Sequence, residues 1–267
     1  MADNIGNKAA HDYHLDTAPA QEGFYVKGAA HSDWGMRNRL SRIFRPESGN
    51  TVMLAFDHGY IMGPTAGLER VDLVIPPLAP YVDVLMGTKG AIRSCVPPTV
   101  PAAKCVRLTY DSTVLYDDMS NGGGFACDME NAIRMNADCV AVQTFIGAPG
   151  ESRSLELLCR AADAGTRYGI PTLGVVAVGK QMERTERFFL LATRVLAENG
   201  ANIVKSYYCD GFERVAAACP VPIVIAGGKK LPELDALEMA YRAIQEGAHG
   251  VDMGRNIFQS DCPAGMA

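Results

Sequence analysis

The chain has 267 residues, 48% hydrophobic and 21% charged, with a formal net charge of −5. That balance excludes a disordered chain. The acidic excess leaves no basic footprint for nucleic acid, so an anionic ligand must be met by local positive charge.

Residues 1–30 are polar and aperiodic and read as a flexible tail. Their start, Met1-Ala2-Asp3-Asn4, lacks the basic-then-apolar pattern of a signal peptide. Residues 31–267 read as one domain. Its first element is a helix with Met36, Leu40, Ile43 and Phe44 on one face. Eight short apolar or β-branched runs follow, at 51–56, 82–86, 104–108, 139–145, 172–178, 201–208, 222–226 and 250–253. Helical spacing between them is clearest at 154–168, 183–199 and 232–245. Such alternation predicts a parallel sheet covered on both faces, and eight repeats without a linker predict a (β/α)₈ TIM barrel with an N-terminal helical extension. After the last strand only 255–267 remain, broken by Pro263 and Gly265. A closing C-terminal helix is therefore expected to be missing: either the chain is truncated, or the outer wall there is covered by the N-terminal helix or a neighbouring subunit.

No apolar run reaches membrane-spanning length, so no membrane partner is expected. The eight cysteines, scattered without C-x-x-C spacing, read as buried free thiols in a reducing compartment, which places the protein in the cytoplasm.

Candidate chemistry gathers at strand ends. The first run closes in Asp57-His58-Gly59. Side-chain alternation aims Asp57 into the barrel mouth, where it can orient an amine, bond a substrate hydroxyl or relay a proton, although an aspartate before glycine is equally a turn cap. His58, of opposite parity, reads as a packed side chain before a catalyst, and without a second histidine at ligand spacing no metal is expected. Lys89 and Arg93 read as solvated charges. Lys180 ends the fifth run as a possible second cation at the mouth, or as a contact to substrate oxygens or solvent.

Lys205 interrupts the apolar run Ala201-Asn202-Ile203-Val204-Lys205-Ser206-Tyr207-Tyr208. Burial penalises its charged form and favours a nucleophilic amine that can attack a carbonyl; a lysine on an edge strand with its ammonium in water fits this segment too. Further on, Gly227-Gly228-Lys229-Lys230 follows the seventh run and Gly254-Arg255 follows the eighth. Barrels commonly hold phosphate at these two loops, on glycine N–H groups with a nearby cation.

Together, Ala55-Phe56-Asp57-His58-Gly59, Ile203 to Tyr208, Ala226 to Lys230 and Gly250 to Gln259 resemble the archaeal-type class I aldolase family, and within it the thiolase branch that acts on a phosphorylated dione. Asp33-Trp34-Gly35-Met36 and Leu40-Ser41-Arg42-Ile43-Phe44 resemble the same branch. The resemblance implies a Schiff base on Lys205, Asp57 at the mouth, and phosphate on Gly227, Gly228, Lys230, Gly254 and Arg255. It also implies a ring-shaped homo-oligomer. The expected activity is carbon–carbon cleavage of a phosphorylated ketose or dione without a bound cofactor, coenzyme A being the co-substrate in the thiolase version. The alternatives are a class I fructose-bisphosphate aldolase and a sugar-phosphate-binding barrel without catalysis. The family's tyrosine proton donor is replaced by Phe145, so Tyr207, Tyr60 or a water has to substitute in an aldolase.

Overall fold

The computed structural model describes residues 23–116, 123–177 and 183–267. Among the described residues ten strands occur: β1 (Thr51–Ala55), β2 (Val84–Thr88), β3 (Ala103–Arg107), β4 (Thr109–Tyr110), β5 (Gly124–Phe125), β6 (Cys139–Thr144), β7 (Thr172–Val176), β8 (Ile203–Tyr207), β9 (Ile223–Ala226) and β10 (Gly250–Met253). Eight of them close a parallel barrel in the order β1, β2, β3, β6, β7, β8, β9, β10, and β10 returns to β1 with Thr51 opposite Gly250. The short β4 and β5 form an antiparallel ribbon above β3. This is the expected (β/α)₈ architecture. The second run was expected at 82–86, and the strand begins two residues later because Pro76–Tyr81 forms a 3₁₀ turn that leads into it.

The helices are α1 (Trp34–Ile43), α2 (Gly59–Met62), α3 (Val71–Val74), α4 (Lys89–Cys95), α5 (Met129–Arg134), α6 (Glu151–Tyr168), α7 (Glu186–Glu198), α8 (Phe212–Ala218), α9 (Glu233–Gln245), α10 (Arg255–Phe258) and α11 (Pro263–Met266). Two apolar layers result. One lies between the strands and the outer helices, where Leu157, Leu158, Phe189, Leu196 and Phe212 meet outward-facing Val140, Val142 and Val204. The other fills the barrel, with Met53, Met86, Cys105, Ala141, Leu173 and Ile203 pointing inward. Period-two alternation assigns Asp57, Arg107, Lys205 and Asp252 to that inner set.

Helix α1 does not cover the outer wall. Asp33 caps it through a 2.8 Å bond from the Met36 N–H, and Met36, Leu40, Ile43 and Phe44 join the inner layer as a plug in the barrel floor. Each large apolar side chain buried there contributes about 1.5–3 kcal/mol. Three arginines pin the plug to the floor loops: Arg39 donates to the Gly169 carbonyl at 3.0 Å, Arg42 pairs with Asp138 at 2.9 Å, and Arg45 with Asp83 at 2.7 Å. The outer wall beside β1 and β10 stays open as a groove of about 440 Å³, bounded by Val52, Val251, Ala240, Ile244 and the C-terminal Met266 and Ala267. No longer helix follows β10 among the described residues.

Residues 1–22 lie outside the described residues, but 23–30 correct the expected tail. Val26 is buried against the floor plug, and Lys27 donates to the Ala216 carbonyl at 2.8 Å. Phe24 and Ala29 pack beside Val26, an apolar anchor too short to show a periodic pattern.

Candidate active site

Lys205 is the third residue of β8, and parity turns it into the barrel. Its residue is 9% exposed, and its Nζ rests 3.9 Å from the Met86 thioether below. Beside it stands Asp252 of β10, fully buried, with Oδ2 2.9 Å from Nζ. The sequence suggested an isolated amine stripped of charge by burial; the structure gives it a carboxylate partner instead. Neither Asp252 oxygen receives a further hydrogen bond among the described residues. Burial pushes the Asp252 carboxyl above the usual carboxylate range, against the pull of Lys205.

Asp57 is taken up by a second buried pair. Arg107, at the end of β3, donates from Nε to Asp57 Oδ2 at 2.5 Å, and both are buried. Burial opposes ionisation of Asp57, but Arg107, Lys205 and His58 outweigh it and hold the carboxyl below its ordinary value. Asp57 is thus an acceptor and counter-charge at neutral pH, not a proton donor. Arg107 also lies over the Tyr60 ring, 4.9 Å from its centroid, and its Nη1 is buried without a hydrogen-bond partner among the described residues. Tyr60 donates to Gln143 Oε1 at 2.5 Å, and burial raises its hydroxyl far above the ordinary tyrosine range.

His58 packs edge-on against Phe258, ring centroids 5.6 Å apart, as expected of a packed histidine. Burial pulls its pKa down to about 4. The unfolded chain, with a value near 6.5, therefore binds a proton that the fold refuses. Stability is full above pH 6.5 and is expected to fall by about 2–3 kcal/mol as the pH drops to 4. Chemical denaturation at pH 7 and pH 4.5 measures this loss, and His58→Gln should flatten that part of the slope.

The glycine loops sit above β9 and β10, where Ala226 pairs with both Tyr207 and Asp252. They are thus next to Lys205 around the rim. Asn256 ties them together, donating to the Gly227 carbonyl at 3.0 Å and accepting from the Leu231 N–H at 2.8 Å. Gly228 has φ +68°, a conformation that favours glycine. A Cβ on Gly254 would lie 2.4 Å from the Ala55 carbonyl oxygen and 2.5 Å from the His58 ring, so only glycine lets this backbone descend to the mouth. Gly254→Ala should weaken binding of inorganic phosphate by at least about ten-fold, read by calorimetry.

The rim cations differ from expectation. Arg255 follows Gly254 directly, with its Nε buried and without a hydrogen-bond partner among the described residues. Lys230 is engaged elsewhere, its Nζ donating to the Gln259 carbonyl. Arg184, missed in the sequence, stacks 4.1 Å above the Tyr207 ring and approaches Gly228. Lys180 lies outside the described residues. Lys89, read as solvated, is half-buried in the wall of a cavity of about 560 Å³ on the β1–β3 side of the mouth, which Asp57, Tyr60, Arg107 and Tyr110 also line. Phe145 is buried, one inward step above Gln143. Among the described residues no cluster of three or more histidine, cysteine, aspartate or glutamate side chains is arranged for a metal, and no helix is long and apolar enough to cross a membrane.

Asp252 and Arg107 received no role from the sequence. Each had the signal that singled out Lys205, a charge at an inward position of an apolar strand.

Known proteins share this fold and family. The family model for DeoC/LacD family aldolases matches residues 51–260. A 3-hydroxy-5-phosphonooxypentane-2,4-dione thiolase of Photorhabdus laumondii is 52% identical over all 267 residues, which span 91% of that protein. An uncharacterised aldolase of Pasteurella multocida is equally similar, at 52% over the same span. Among solved structures, an archaeal fructose 1,6-bisphosphate aldolase superposes with a TM-score of 0.76 at 24% identity, covering 86% of this chain and 95% of that one. A structure of such an aldolase with the catalytic lysine bound to the carbinolamine intermediate gives the same TM-score and identity. With the family model spanning most of the barrel and half the residues shared with full-length relatives, the chain belongs to the DeoC/LacD aldolase family.

Proposed function

We propose that this protein is a Schiff-base carbon–carbon lyase and acyltransferase acting on a phosphorylated dione, with 3-hydroxy-5-phosphonooxypentane-2,4-dione as the substrate and coenzyme A as the acyl acceptor. The observation that carries the reading is the Lys205 amine, buried at the mouth one strand away from the glycine loops. A phosphate held by Gly227, Gly228, Gly254 and Arg255 anchors one end of the substrate and brings a carbonyl to Nζ. The amine adds to that carbonyl and water leaves. The coenzyme A thiol gives up its proton and adds to the second carbonyl, the adjacent carbon–carbon bond breaks to release the thioester, and the iminium accepts the electron pair as an enamine that then takes up a proton and is hydrolysed from Lys205. Arg107, with one N–H unpartnered beside the cavity, holds a second carbonyl oxygen as charge develops there. The cavity beside it has room for the acceptor thiol.

A reversible aldolase of the fructose-bisphosphate type is disfavoured by Phe145, whose ring offers no proton where the family's donor stands, and by Tyr60, whose hydroxyl is engaged by Gln143 and hard to ionise. We place the reaction in the cytoplasm, where free thiols persist, and follow the family resemblance in assigning a ring-shaped homo-oligomer. The test is borohydride reduction in the presence of 3-hydroxy-5-phosphonooxypentane-2,4-dione, followed by peptide mass spectrometry. A reduced adduct on Lys205 and acyl-coenzyme A among the products are expected. An adduct without coenzyme A dependence would point to the aldolase. Phosphate binding without any adduct would leave a non-catalytic sugar-phosphate binder.

A further inference from the structure

We propose that Asp252 is a catalytic residue, the counter-ion and proton partner of the Schiff base on Lys205. The inference rests on the lysine chemistry just assigned and extends it to a residue given no part in it. Asp252 Oδ2 lies 2.9 Å from the reacting nitrogen, the side chain is fully buried, and neither oxygen has another hydrogen-bond donor among the described residues. A buried carboxylate whose close partner among the described residues is one amine serves whatever charge that amine carries.

The proton count supports this. In the resting pair, Lys205 is an ammonium and Asp252 a carboxylate. A proton moves from Nζ to Oδ2, leaving an amine and a carboxylic acid. The amine lone pair forms the C–N bond, and the carbonyl π pair goes to oxygen, which gains the proton that Nζ sheds. Asp252 then returns its proton to that hydroxyl, which departs as water, and the nitrogen lone pair closes the C=N bond. Carbonyl, ammonium and carboxylate have become iminium, carboxylate and water, so the pair's net charge is the same before and after. The upward pull of burial on the Asp252 carboxyl makes it a willing acceptor in the middle of the sequence.

Other charged or titratable groups face this pair. Asp57 and His58 approach from the end of β1, and Cys105 and Arg107 from β3. Asp57 is held by Arg107, while Cys105 is a fully buried thiol pushed up by burial and beside Cys139. His58 is kept neutral by burial at working pH. Asp252 is therefore the group left to neutralise an iminium on Lys205.

Without that carboxylate the imine holds its proton only at higher acidity. Asp252→Asn should lower kcat for 3-hydroxy-5-phosphonooxypentane-2,4-dione at pH 7.5 by about 100-fold and move the alkaline limb of the kcat profile to lower pH by about one unit or more. Asp252→Glu should move that limb back toward the wild-type position. Unchanged inorganic phosphate binding would show that the variants fold. A loss of kcat with the alkaline limb unmoved in both variants would mean a merely structural residue, and an unchanged kcat would remove Asp252 from the reaction; either overturns the inference. If the wild-type enzyme forms no borohydride adduct at Lys205, the lysine chemistry itself fails, which is a separate result.

Discussion

Replacing Lys205 with methionine is expected to reduce turnover of the phosphorylated dione by at least about 10⁴-fold while inorganic phosphate still binds. Methionine preserves the unbranched stem over Met86 and removes only the nucleophile. The change leaves Asp252 buried without its cation. Because burial already raises that carboxyl, it takes up a proton and the variant keeps no net buried charge. Folding should survive, and the borohydride adduct should vanish. Turnover close to wild type would remove covalent catalysis at this position. The contrast with Asp252→Asn is part of the expectation, since losing the proton partner slows the cycle whereas losing the amine ends it.

The second large effect is on stability. Arg107→Leu should destabilise the fold by about 3–5 kcal/mol, because it strips the cation from a carboxylate that is almost wholly enclosed. In a chain of this size that corresponds to roughly a 10 °C drop in Tm. The loss should also grow with pH. In the variant, burial of Asp57 is no longer opposed by Arg107, so its folded pKa rises above the unfolded value near 3.8. The fold then binds more protons than the unfolded chain, and stability falls as pH rises. The double variant Arg107→Leu with Asp57→Leu should recover most of the lost stability without recovering activity. Thermal unfolding of the three variants at pH 5 and pH 8 measures both effects. A single variant as stable as wild type would mean that the pair is more hydrated than its burial indicates.

What could be read from the sequence follows from which interactions are local. Period-two and helical spacing are properties of neighbouring residues, and they located the eight barrel strands and α6, α7 and α9 to within a few positions. Lys205, Asp57 and the two glycine loops could be found because a polar group at the end of an apolar strand is itself a local anomaly. Arg107 and Asp252 are anomalies of the same kind and could have been found by the same rule; what could not be read was their pairing. Asp57 and Arg107 are 50 positions apart, and Lys205 and Asp252 sit on strands separated by β9. Strand adjacency, tilt and side-chain reach decide such contacts, and none is encoded in a short window. The same reason explains Lys89, which counts as a surface charge until the β4–β5 ribbon and α2 build a cavity beside it. Lys230 shows the converse. Its place behind two glycines suggested a phosphate ligand, and in the structure its Nζ donates to the carbonyl of Gln259, 29 positions away, a contact no short window shows.

The wedge of β10 between β9 and β1 also dictates when this molecule can assemble. On the ribosome, β1 emerges well before β10, so the ring stays an open sheet until β10 has been made. Until then α1 has only part of its seat, since Phe44 packs against His249 immediately before β10. Such long-range closure is slow and leaves apolar strand edges uncovered in the nascent chain, which makes the docking of β10 the step at which chaperone protection matters most.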